Sequence, residues 1–310
     1  MKNSRRSFLK NSTMALVGAG VLPKVLQAGA LAPAKKISLI GIQLYSVRAD
    51  MAKQPLETLK ALANMGYQYV EHANYVNRKF YGYKATEFKK VLNDLGLSMP
   101  SGHTVMNIDH WDKSKNDFTD AWKYTVDDAA TLEQEYVISP SIDEKLRRSY
   151  DGLMLQLDIF NKSGELCKKQ GMKFGYHNHE FEFTEKLNDI LMYDLIFKNT
   201  DPSLVVQQLD FGNMYGSGGR AKEWIDKYHG RFPSLHVKDE IKVNTRGEMN
   251  DGYDSTTIGN GVVDPKMLCL LAKEVGGAHH FIIEQESYQD KTPLECAKIN
   301  LATIKSWGLV

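Results

Sequence analysis

The segment Tyr176-His177-Asn178-His179-Glu180-Phe181-Glu182 gathers two imidazoles and two carboxylates at the end of an apolar run. Three further runs end the same way: Gln207-Gln208-Leu209-Asp210-Phe211-Gly212-Asn213, Ser234-Leu235-His236-Val237-Lys238-Asp239 and Phe281-Ile282-Ile283-Glu284-Gln285-Glu286. Imidazoles and carboxylates suit a divalent cation such as zinc, manganese, cobalt or magnesium, and a few of them converging on one point would leave coordination positions for a substrate. Each residue also has a plainer reading. Asp210, followed by Gly212 and Asn213, fits an Asx turn or helix cap, and His236 between Leu235 and Val237 fits a satisfied core histidine. Glu284 is harder to explain that way, because an unpaired carboxylate buried after Phe281-Ile282-Ile283 would cost several kcal/mol.

Convergence depends on the elements that carry these residues. Eight β-rich runs alternate with eight helical patterns: strands are predicted within 37–47, 67–73, 99–105, 135–142, 172–179, 204–211, 232–238 and 279–286, and helices within 55–65, 85–95, 117–132, 150–170, 188–199, 220–228, 265–275 and 293–307. Pro55 at a helix start, with Gly66 and Gly96 just past helix ends, are the usual boundary signals. Eight βα units of roughly 30 residues make a single-domain (β/α)8 barrel over residues 37–310. An open doubly wound sheet would require a glycine-rich phosphate turn after an early strand, and none is present. In the barrel the site lies at the carboxyl ends of the strands, where His72, His103, His177, His179 and His236 fall, five of the nine histidines.

The composition, 42% apolar and 25% charged, is that of an ordinary globular protein. Cys167, Cys269 and Cys296 are widely spaced, which excludes a zinc ribbon or a redox dithiol and predicts buried helical positions. Residues 1–30 carry Arg5-Arg6 followed by Phe8-Leu9 and a Gly- and Ala-rich stretch ending in small residues. They resemble a twin-arginine export signal, with 31–36 as a short linker, and imply a periplasmic protein, membrane-associated only if uncleaved. Loss of that segment removes Lys2, Arg5, Arg6, Lys10 and Lys24 and no acid, taking the formal charge from +1 to −4. With no long basic cluster in the remainder, nucleic acid is not an expected partner. The contiguous His-Asn-His is not an HNH nuclease motif, whose three residues are dispersed over a ββα unit.

A wider pattern joins these segments: Gly41-Ile42-Gln43-Leu44-Tyr45-Ser46-Val47-Arg48, Val70-Glu71, Leu209-Asp210-Phe211-Gly212-Asn213, Leu235-His236-Val237-Lys238-Asp239, Ile258-Gly259-Asn260-Gly261 and Ile283-Glu284. In this order they resemble the sugar phosphate isomerase/epimerase family, the xylose isomerase-like or endonuclease IV-like TIM barrels. The resemblance implies one divalent metal held by an acid from the fifth strand, Asp210, His236 and Glu284, and it makes Asn213 a substrate contact. Gln43, Glu71, His103 and Lys238 are further candidate substrate contacts at strand ends.

The fifth strand departs from the family pattern, placing His177 where the isomerases carry a glutamate. Strand alternation turns His177 and His179 to the same side, and Glu182 lies just beyond. Glu182 is assigned as the fourth ligand and His177 or His179 as general base, with the exchange of these roles left open; Glu284 is counted with the catalytic groups. The expected reaction is isomerisation or epimerisation of an unphosphorylated sugar through an enediolate. A lyase or dehydratase acting on keto sugars or keto-glycosides is the alternative, and a non-catalytic sugar-binding barrel stands further off. An abasic-site endonuclease would need three metals and a basic face. The polar stretch 239–253 is read as a lid.

Overall fold

The structure, a computed structural model, describes residues 38–309. The expected export signal and linker lie outside the described residues. The eight expected strands are present as β1 (Leu39–Gln43), β2 (Tyr69–His72), β3 (Ser98–His103), β4 (Tyr136–Ser139), β5 (Lys173–His177), β6 (Val205–Asp210), β7 (Ser234–Val237) and β8 (His280–Ile283). All neighbours pair in parallel, and β1 pairs with both β2 and β8, which closes the barrel. Ile42 stands opposite Val70 on one side and Ile283 on the other.

The helices that return the chain are α1 (Pro55–Met65), α2 (Ala85–Asp94), α3 (Asp120–Thr131), α4 (Tyr150–Lys169), α5 (Met192–Asn199), α6 (Ala221–Lys227), α7 (Pro265–Leu271) and α8 (Pro293–Lys305). Pro55 opens α1 and Gly66 closes it at φ 94°, a left-handed position that suits glycine. A capping box between Thr292 and Glu295 opens α8. Cys167, Cys269 and Cys296 are free and buried on α4, α7 and α8, as expected.

Several strands are shorter than the sequence predicts, because polar side chains at their ends redirect the backbone. β1 stops at Gln43, whose side chain accepts from Tyr45 N (3.2 Å) and caps the 3-10 turn Leu44–Val47. β6 stops at Asp210, which caps the short helix Phe211–Tyr215. The main apolar core lies between the strands and the helices; within the barrel there is a separate small cluster of Tyr136, Ile138 and Val206. The predicted lid is a β-hairpin, Asp239–Lys242 against Tyr253–Thr256. It is moored by Asp239, whose carboxylate accepts from the backbone N–H groups of Gly259, Gly261 and Val263 at 2.9–3.0 Å. Among the described residues no helix is long and apolar enough to cross a membrane.

Candidate metal centre and active site

β5, β6, β7 and β8 are consecutive staves of the barrel, so groups at their carboxyl ends meet. Ligand atoms of His177, Asp210, His236 and Glu284 all lie within 4.8 Å of one another, and all four residues are buried. The two readings of Asp210 are compatible, because each of its oxygens serves one of them. Oδ1 accepts from Asn213 N at 2.7 Å as the helix cap, whereas the buried Oδ2 has no hydrogen-bond partner among the described residues. Oδ2 faces His236 Nδ1 at 3.7 Å, and Glu284 Oε2 approaches the same nitrogen to 2.9 Å. An orphaned buried carboxylate oxygen beside an imidazole and a second carboxylate is the donor set of a divalent cation, and these residues fit one.

The structure brings His177, not Glu182, into this set. Tyr176 and His177 point to opposite faces of β5, and Glu182 follows Tyr176 outward. Its Oε1 accepts from the Tyr176 hydroxyl and its Oε2 from His179 N at 3.0 Å. Burial lifts the Glu182 carboxyl to about 8, against the lowering effect of those hydrogen bonds. His179 lies beyond the end of β5, with its ring 5.2 Å from that of His177 and edge-on to it. Burial lowers its pKa to about 4, so it is neutral at ordinary pH.

Glu71 lies at the centre of the polar interior and is fully buried. It accepts from Gln43 Nε2 (2.9 Å), Ser101 Oγ (2.5 Å) and Gln208 Nε2 (2.9 Å), and faces His236 Nε2 at 2.5 Å. Burial alone would raise its pKa, but His103 and His236 outweigh that and bring it to about 2. Conversely, burial disfavours a charge on His236, yet Glu284 and Glu71 lift it to about 10. Thus Glu71, read from the sequence as a substrate contact, holds His236, and Gln43, read the same way, holds Glu71: the carboxylate fixes Nε2–H and aims Nδ1 at Asp210 and Glu284, as carboxylates behind metal-binding histidines do.

Gln208 was given no role by the sequence reasoning. Its amide is oriented by donation to Glu71 and to Ser234 Oγ (2.9 Å), which turns Oε1 toward His103 Nε2 (2.6 Å) and His177 Nδ1 (3.1 Å). An amide oxygen only accepts, so His177 carries its proton on Nδ1 and keeps the Nε2 lone pair. Asn213 Nδ2 donates toward that lone pair at 3.3 Å. The available signal was position, since Gln208 is two residues before Asp210 and shares its inward face. His72, by contrast, points outward and packs edge-on against Phe80.

Lys238 is fully buried, donating to Asn213 Oδ1 (3.0 Å) and Glu286 Oε1 (2.7 Å), with Glu248 of the hairpin at 3.5 Å. Burial opposes its charge, but Glu286 and Asp210 more than compensate and keep it an ammonium. Burial and the charge of Glu284 raise Asp210, whereas the His236 cation holds Glu284 low.

With an eight-stranded parallel barrel and this polar centre, the chain belongs to the xylose isomerase-like TIM barrel family, whose pattern matches residues 59–307. Among curated proteins it is similar to the inosose dehydratase of Geobacillus thermodenitrificans, 26% identical over 157 residues, covering 48% of this chain and 52% of that one. It is also similar to the inosose dehydratase of Clostridium botulinum, 31% identical over 171 residues, or 51% and 56% of the two chains. The matched part thus spans about half the length of these relatives. Among solved structures, a sugar phosphate isomerase/epimerase from Parabacteroides distasonis superposes with a TM-score of 0.75 at 25% identity, covering 91% of this chain and 99% of the other.

Proposed function

We propose that this protein is a divalent-metal-dependent isomerase or epimerase of an unphosphorylated sugar or sugar derivative. The reaction removes the proton on the carbon beside a carbonyl and returns it at the neighbouring carbon or on the other face, by way of an enediolate. The observation that carries the reading is His177: a buried, neutral imidazole whose Nε2 lone pair is set by Gln208 and marked by Asn213, beside the Asp210, His236 and Glu284 donors. Burial and the nearby His236 charge keep its pKa well below the usual range. It is therefore unprotonated at neutral pH, the state from which a general base acts.

Asp210, His236 and Glu284 would hold the cation, which when bound supplies Lewis-acid polarisation of the substrate oxygens. Lys238 adds a fixed positive charge for the oxygen that becomes negative. Because Glu286 and Glu248 already balance that ammonium, it offers little excess charge to a phosphate group. The paired arginines of the leader support the same substrate class, since an exported enzyme meets free sugars and glycosides rather than cytoplasmic sugar phosphates.

A second reading is favoured by the likeness to inosose dehydratases: the same proton removal followed by loss of a β-hydroxyl or β-glycosyloxy group. The test is incubation of the metal-loaded protein with keto sugars and aldoses in deuterated water. Deuterium on carbon in a product of unchanged formula supports isomerisation, and an unsaturated or cleaved product supports elimination. His177→Asn is expected to slow either outcome by about 10²–10⁴-fold while the metal content stays that of the wild type. Exchange at the wild-type rate in that variant would remove His177 from the role of base.

A further inference from the structure

A second group of metal-type donors lies at the opposite end of the barrel, unconnected with the chemistry above. Glu135 immediately precedes β4, and His279 immediately precedes and His280 begins β8, the stave across the barrel from β4. Ligand atoms of the three residues lie within 4.8 Å of one another. Glu135 Oε2 is 3.7 Å from His279 Nε2 and 3.7 Å from His280 Nε2. Those separations are too long for hydrogen bonds. They are close to the edge of a tetrahedral coordination shell, about 3.4 Å when each ligand is about 2.1 Å from the ion.

We infer that Glu135, His279 and His280 form a second binding site for a divalent cation of the zinc class, at the amino-terminal mouth of the barrel. Three observations support it independently of the first site. His280 is fully buried, and neither ring nitrogen has a hydrogen-bond partner among the described residues, an arrangement that a ligated ion would resolve. His279 Nδ1 donates to the Gly277 carbonyl at 3.2 Å, which leaves the lone pair on Nε2, the nitrogen that faces Glu135. Histidines that bind metals are oriented in this way.

The frame is also rigid. His279 N and His280 N both donate to Pro233 O at 3.0 Å, and Glu135 is fixed by its N to Pro100 O (2.7 Å) and its O to Lys173 N (2.9 Å). The Tyr136 hydroxyl, 3.2 Å from His279 Nε2, occupies the nitrogen when no ion does. The Glu135 side chain is 47% exposed, so an ion can reach it from solvent. Bound there, the ion would tie β4 to β8 across the barrel.

The test uses the full chain, stripped with a chelator and then dialysed against zinc, with bound metal counted by elemental analysis. Wild-type protein is expected to hold two zinc ions per chain. Glu135→Gln, a change at a half-exposed position that leaves the core intact, is expected to hold one, as is His280→Gln. Asp210→Asn is expected to lose the other ion and keep this one. In that background cobalt should give a visible absorption band that vanishes on adding Glu135→Gln. Equal zinc content in wild type and Glu135→Gln, with no change in the cobalt band, would overturn the site.

Discussion

Replacing Glu182 by Gln separates two uses of a buried carboxylate, ligand and packing partner. In the structure the carboxyl meets the Tyr176 hydroxyl and His179 N–H and has a pKa raised by burial from the usual 4.5 to about 8. In the unfolded chain it ionises near 4.5, so between these values the native state holds a proton that the unfolded state has released. Stability therefore falls as pH rises through that window, by about 1.4 kcal/mol per pH unit from this group. Over pH 5.5 to 7.5 the loss is about 3 kcal/mol, and the whole change, from below pH 4.5 to above pH 8, is about 5 kcal/mol. Glutamine copies the protonated acid, accepting from His179 N–H through its oxygen and offering its amide to Tyr176. Urea denaturation of wild type and Glu182→Gln at pH 5.5 and 7.5 is expected to show the difference between them shifting in the variant's favour by about 3 kcal/mol from the lower pH to the higher. Metal content should be unchanged. An identical pH dependence in the two proteins would refute the burial argument, and loss of the metal would return Glu182 to the ligand set assigned from the sequence.

Two further outcomes follow from the same geometry. Glu71→Gln removes the carboxylate that holds His236 Nε2, and chelator competition should show metal affinity lower by about 10–100-fold; an unchanged affinity would mean that Glu71 does not position His236. Gly102→Ala would drive a Cβ into the His72 ring and close to Gln134 Nε2 (2.9 Å), with an expected loss of about 1–3 kcal/mol in urea denaturation; a variant as stable as wild type would mean that the ring moves aside at no cost.

The barrel was legible because its signals are local: alternation, helix caps and the length of each βα unit recur eight times, and every predicted strand and helix is present. The convergence of Asp210, His236 and Glu284 was legible for a related reason, since each ends an apolar run that topology then aligns. Glu71 was misplaced because its partner is 165 residues away, at His236, and no local pattern distinguishes an inward carboxylate that meets substrate from one that meets a histidine. Glu182 was misplaced because the chain turns sharply after β5, through the 3-10 turn Phe181–Phe183, and carries the side chain back to Tyr176 rather than to the barrel axis. The role of Gln208 depends on which way its amide is flipped, and only the surrounding donors settle that.

The order of the staves also has a temporal meaning during biosynthesis. Gln43, Glu71, Ser101 and His103 belong to the half of the barrel made first, whereas Asp210, His236 and Glu284 belong to the half made last. Glu284 reaches the others only when β8 inserts between β7 and β1, the step that seals the barrel. A nascent chain therefore carries Gln43, Glu71 and Ser101 before Gln208 and His236, their later partners, and Glu284 comes last of all. An ion held by Asp210, His236 and Glu284 together would report that the ring has closed.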